Sequence, residues 1–162
     1  MLGEPIQIIK EKAKSRVAKG SLSSGVYPKS QLDFSLIYKL FVQNLGKNTG
    51  SVLSFLGVAR LESADGTKKI RSLLIESYER HANSVLQKIS KEVLEKYSLS
   101  NILIVHGLGK FSAGEPVVMV LVASPRRKQG FDALRDAVER YKKEPALFKK
   151  EIYKDGSSSW IS

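Results

Sequence analysis

An apolar run at residues 117–123, Val-Val-Met-Val-Leu-Val-Ala, stops abruptly at Ser124-Pro125, and a different periodicity follows at once. Proline disfavours helix in the residue before it, so a strand ends there and a new element begins. From Arg127 onward, Phe131, Leu134, Val138 and Tyr141 recur at spacings of three and four, one apolar stripe on a helix. Lys128, Arg135 and Lys142 are seven apart and share another face. Glu144-Pro145 ends the helix, and residues 148–153 continue as an extended segment. A strand end, a helix and a short extended piece thus carry cations toward one place. Two readings follow. The cations are a solvated polar face, or they form an anion site, phosphate for example. A lysine set among other cations there favours its neutral amine, the form that acts as base or nucleophile near neutral pH. Spacing alone does not choose.

Composition narrows the classes. The chain has 162 residues, 42% hydrophobic and 27% charged, which fits one globular domain with a real core. No apolar run approaches the roughly 18 residues of a membrane span. A net charge of +11 favours anionic partners: nucleic acid, a phosphorylated small molecule or an acidic protein. There is no cysteine, which excludes disulfides, zinc–thiolate sites, iron–sulfur clusters and cysteine nucleophiles. With only His81 and His106, a histidine-rich metal site is not expected either. Any sulfur chemistry needs its sulfur from elsewhere, and the composition suits a reducing, cytoplasmic setting.

Residues 1–30 read as a basic appendage, disordered or docked, preceding a domain at 31–162. Ile6, Ile9, Ala13 and Val17 mark a short helix bearing five cations, and a Gly/Ser linker at 20–25 follows. No secretory signal is expected, because the lead lacks an apolar region and carries Glu4 and Glu11. Asp33 caps a helix to about residue 45, with Leu36, Ile37, Leu40 and Phe41 inward. Residues 51–60 read as a buried strand delivering Arg60, and 70–78 as its hairpin partner. Residues 79–97 form the longest helix. Strands at 102–105 and 117–123 are joined through a glycine-rich connection at 107–114, which lacks the order of a phosphate-binding loop. His106, ending an apolar strand, reads as structural. The order of elements fits an α+β domain, helices packed on a mostly antiparallel sheet.

With these segments laid out, residues 32–160 resemble the large, catalytic subunit of molybdopterin synthase. The matching pieces are Phe55-Leu-Gly-Val-Ala-Arg60, Leu74-Ile-Glu-Ser-Tyr78, Ile104-Val-His-Gly-Leu-Gly109 with Gly114-Glu115, and Val122-Ala-Ser-Pro-Arg-Arg127. Tyr141-Lys142, Phe148-Lys-Lys-Glu151 and Asp155-Gly-Ser-Ser-Ser-Trp160 complete them in order. The resemblance implies an α/β hammerhead fold and a homodimer at the centre of a heterotetramer. It implies a small ubiquitin-like partner whose C-terminal Gly-Gly tail carries sulfur as a thiocarboxylate. The reaction it implies converts cyclic pyranopterin monophosphate into the dithiolene of molybdopterin, with no cofactor held by this chain.

The same resemblance assigns site residues. Lys142 and Lys149 are the catalytic pair, Lys142 polarising the thiocarboxylate carbonyl or moving a proton, Lys149 positioning substrate or stabilising developing charge. Arg60, Arg126 and Arg127 hold phosphate, since guanidinium forks match its oxygens, and Lys150 and Glu151 complete the substrate-binding group. Glu151 orients the lysines. The family commonly has His-Arg where this chain has Arg126-Arg127, and arginine cannot shuttle protons near neutral pH. It often has arginine where this chain has Gly107. Two rival readings remain, a nucleic-acid-binding module and a non-catalytic basic scaffold. Against the first, the aromatics are not interleaved with cations on a sheet face. Against the second stands the retention of Arg60, Arg127, Lys142 and Lys149 together.

Overall fold

The computed structural model describes residues 22–161, so the short helix expected near residues 6–17 lies outside the described residues. Seven strands and three helices follow: β1 (Gly25–Pro28), α1 (Phe34–Gln43), β2 (Ser51–Val58), β3 (Ile70–Ser77), α2 (Glu79–Lys96), β4 (Asn101–Ser112), β5 (Pro116–Ser124), α3 (Arg127–Lys143), β6 (Leu147–Tyr153) and β7 (Ser158–Ile161). The strand order is β2-β5-β4-β3-β6-β7, with β1 parallel to β4 and every other pairing antiparallel. This is the expected α+β architecture. No helix among the described residues is long and apolar enough to cross a membrane.

The apolar run is the centre of the molecule. Every residue of β5 after Pro116 is buried, flanked by β2 on one side and β4 on the other. On one face Val118, Val120 and Val122 meet Ala82, Leu86, Ile89 and Val93 of α2 and Ala133, Ala137 and Tyr141 of α3. On the other, Met119, Leu121 and Ala123 meet Ile37 and Phe41 of α1. Asp33 caps α1 as expected, its carboxylate accepting the Leu36 N–H at 3.0 Å.

Three expectations change. Residues 107–112 are strand, not connection: β4 pairs with β5 through its first half and with β3 through residues 109–112. Gly109, at φ +114°, sits where the partner changes, a conformation that L side chains rarely adopt. One strand therefore belongs to two half-sheets, and the turn shrinks to residues 113–115. Second, β2 is an edge strand rather than a buried one, leaving Leu56 and Val58 exposed. It pairs with β5 and not in the expected hairpin with β3, which lies between β4 and β6. Third, Phe131 of the expected apolar stripe is 63% exposed. Gly130, Ala133 and Ala137 make the contact with Tyr141 instead, because α3 packs too closely for a large residue. A Cβ on Gly130 would lie 2.4 Å from Leu53 Cδ1.

The stretch set apart as 1–30 also contributes a strand. β1 lies against residues 105–108 of β4. Val26 N–H donates to Asn83 Oδ1 at 2.7 Å, and Ser24 Oγ accepts from the Ile104 N–H and from the Ser90 hydroxyl. Residues 24–28 are thus tied to the sheet and to α2, ahead of the boundary at 31.

Candidate active site

The two half-sheets curl until β6 approaches the end of β2, although four other pairings separate them in the sheet. The alternation of β6 puts Lys149, Glu151 and Tyr153 on one face, as period two requires. Arg60, two residues beyond β2, meets that face: its Nη2 lies 3.4 Å from Glu151 Oε1. The Arg60 side chain is 56% exposed and that of Glu151 only 3%. The buried carboxylate also accepts the Tyr153 hydroxyl at 2.9 Å, and that hydroxyl meets Ser159 Oγ at 3.0 Å. A carboxylate so placed holds its arginine from below while the guanidinium stays open to an anion.

Lys142 comes from the last turn of α3, its ammonium 5.8 Å from the centre of the Phe55 ring. Phe55, Tyr141 and His106 make an aromatic floor, with centroids 6.3 Å and 5.9 Å apart in that order. Gly57 permits it, since a Cβ there would stand 2.5 Å from Val118 Cγ1 and 3.3 Å from the Phe55 ring. Lys149 stands among these groups. Burial first, then the charges of Lys142 and Arg60, push its amine below the ordinary lysine range. Burial, reinforced by the Lys149 charge and opposed by the Gly107 carbonyl, lowers His106 to about 4. Burial pushes the Tyr141 phenol up to about 12. Beside Arg60 opens a cleft of about 670 Å³, lined also by Leu61, Glu62, Ser63, Lys69, Ile70 and Lys154.

Arg60, Lys142, Lys149 and Glu151 are therefore brought together. The remaining three are not. Lys150 lies on the opposite face of β6, over the Trp160 ring at 5.5 Å. Arg126 and Arg127 stand at the N-terminal end of α3, fifteen residues from Lys142 at its C-terminal end, about 22 Å along a helix. The sequence reading missed Tyr153, whose signal is its period-two spacing from Glu151. It also missed Lys69 and Lys154, which only the fold brings beside Arg60.

A cluster of cations beside an aromatic floor, with Arg60 backed by a buried carboxylate at the edge of a cleft, is the candidate active site of an enzyme domain. Residues 28–144 match the model of the family described as MoaE protein, and the chain belongs to that family. It is 36% identical over 115 residues to the molybdopterin synthase catalytic subunit of Bacillus subtilis, covering 71% of each chain. The crystal structure of molybdopterin synthase from Staphylococcus aureus is 27% identical with a TM-score of 0.75, over 86% of this chain and 96% of that one. The complex of subunits 1 and 2 of molybdopterin-converting factor from Helicobacter pylori shares the fold, with a TM-score of 0.67 at 17% identity over 87% and 88%. The function expected from the sequence, catalytic subunit of molybdopterin synthase, is the one these catalytic relatives carry.

Proposed function

We propose that this chain transfers sulfur from the thiocarboxylated tail of a small carrier subunit to cyclic pyranopterin monophosphate, building the dithiolene of molybdopterin. The observation that carries the reading is the gathering of three cations: Lys142 over the Phe55 ring, Arg60 held by Glu151, and Lys149, whose half-buried amine feels the charges of the other two. Arg60, held by Glu151, binds the substrate phosphate at the mouth of the cleft. Lys142 donates to the thiocarboxylate carbonyl, and the Lys149 ammonium stabilises charge that develops as sulfur attacks. Each transfer joins sulfur to a substrate carbon as a carbon–oxygen bond at that carbon breaks and its oxygen leaves protonated or on the phosphate. Water then cleaves the acyl–sulfur bond, returning the carrier as a carboxylate. Two rounds supply two sulfurs. The chain supplies neither sulfur nor a cofactor of its own, in keeping with a sequence that has no cysteine.

The partner is a small subunit, a reading supported by the assembly named for the Helicobacter pylori relative in fold. A homodimer inside a heterotetramer, working in the cytoplasm, completes it. The distance between Arg127 and Lys142 gives the dimer a purpose: Arg126 and Arg127 complete the site of a second copy. The test is Lys142→Ala in a reconstituted reaction, where turnover is lost while the fold and carrier binding persist. Turnover near that of the parent protein removes Lys142 from the mechanism.

A further inference from the structure

The side chain of Glu151 is 3% exposed, and a carboxylate buried to that extent needs partners for both of its oxygens. The Arg60 contact to Oε1 is long, at 3.4 Å, and comes from a side chain 56% exposed, so it does not fix the carboxylate by itself. Oε2 has the better bond. The Tyr153 hydroxyl donates to it at 2.9 Å from a buried ring. Because that proton is committed to the carboxylate, the Ser159 hydroxyl, 3.0 Å away, donates in turn to the Tyr153 oxygen. Two strands set this up: Tyr153 and Glu151 share a face of β6, and Ser159 of β7 stands opposite Glu151 in register. The tyrosine is held in its own right. Its N–H donates to the Ser157 carbonyl at 2.9 Å. The Lys68 ammonium covers its ring, 4.8 Å from the centre, while donating to the Ser157 hydroxyl at 2.8 Å. Phenylalanine would fill the same space, so the hydroxyl is what tyrosine adds here.

We propose that Tyr153 is a positioning residue for Arg60: its hydroxyl, backed by Ser159, fixes the Glu151 carboxylate, and the carboxylate in turn aims the guanidinium into the cleft. The relay runs from the last strand to the cleft, Ser159 to Tyr153 to Glu151 to Arg60. It gives β7 a part in anion binding, although no cation of the site lies on that strand. Only the kinetic consequence rests on the sulfur-transfer reading; the aiming of Arg60 does not.

The test compares four full-length chains: the parent, Tyr153→Phe, Glu151→Gln and the double variant. Rotation of the Arg60 guanidinium, followed by NMR, is several-fold faster in Tyr153→Phe and in Glu151→Gln than in the parent. In the reconstituted reaction KM for the phosphorylated substrate rises roughly fivefold in Tyr153→Phe, the scale of one net hydrogen bond, at unchanged kcat. In the Glu151→Gln background Tyr153→Phe adds nothing, because the hydroxyl acts only through the carboxylate. Additive rises overturn the proposal, since Tyr153 then acts apart from Glu151. Arg60 rotation unchanged by Tyr153→Phe overturns it as well. Faster rotation at the parental KM upholds the aiming and counts against Arg60 as the phosphate anchor. Absence of product from every chain contradicts the sulfur-transfer reading alone, and the NMR comparison still decides. Should Tyr153→Phe not fold, Ser159→Ala replaces it: Ser159 is exposed, so its truncation removes the donor behind the hydroxyl and little else. The same faster rotation is expected there, and parental rotation overturns the proposal.

Discussion

The guanidinium of Arg60 and the carboxylate of Glu151, 91 residues apart in sequence, meet at 3.4 Å where the curled sheet closes on itself. The arginine is half in water and the carboxylate is buried, so the pair is an anchor more than a stabilising bridge. Glu151→Gln keeps the shape and the Tyr153 bond but releases Arg60. Steady-state kinetics should show KM for the phosphorylated substrate rising roughly tenfold, the scale of one charge-assisted contact. The melting temperature should move little. A fall in kcat at constant KM would instead give Glu151 a part in the chemistry.

Lys149 should leave its mark on the alkaline side. Burial and two neighbouring cations lower its amine from the ordinary 10.5, so the ammonium is lost at lower pH than for a free lysine. The profile of kcat against pH should therefore decline before 10.5 is reached. Lys149→Arg keeps a cation that does not deprotonate, so its residual activity should lack that decline. An unchanged alkaline limb in the variant assigns the titration to another group.

His106 makes stability depend on pH at the acid end. Its pKa is about 4 when folded against an ordinary 6.5, so the unfolded chain binds more protons between those values. The contribution is complete above about 6.5 and is lost as pH falls toward 4, on the order of 3 kcal/mol in all. Denaturant titrations at stepped pH should show the parent protein losing this stability and His106→Phe not losing it. Parallel curves would mean the imidazole is not held neutral.

The length of α3 sets a complementation test. If Arg127 acts in the site of a second copy, Lys142→Ala and Arg127→Ala chains are each inactive alone. A mixed dimer then holds one site with both defects and one with neither. Random assortment of the two chains should restore roughly a quarter of full activity. No recovery, with mixed dimers demonstrated, places both residues in service of one chain's site.

Much of this was legible before the fold was known. The run at 117–123, the Pro125 break and the α3 periodicity located the central strand and the helix that brings Lys142 forward, and Asp33 marked the start of α1. What local pattern misread was set by tertiary geometry. Phe131 fits the stripe by spacing, yet packing at Gly130 admits only small residues, so the phenyl ring faces water. Gly107, Gly109 and Gly114 look alike in sequence, but only Gly109 serves to redirect a continuous strand. Residues 25–28 gave no strand signal because a short parallel strand is held by its neighbours, Asn83 and Ser90 among them. In the site, the family resemblance gathered seven residues without their places in space. Strand alternation sends Lys150 to the far face, and the length of a helix sends Arg126 and Arg127 to the far end.

The most direct test of the account is reconstitution of the chain with a thiocarboxylated small subunit and cyclic pyranopterin monophosphate, with dithiolene product as the readout. Product should form with the parent chain and disappear in Lys142→Ala, while the carrier still binds. Carrier binding without product from the parent chain would contradict the sulfur-transfer reading and leave a basic scaffold. Failure of both would turn attention to nucleic acid as the anionic partner.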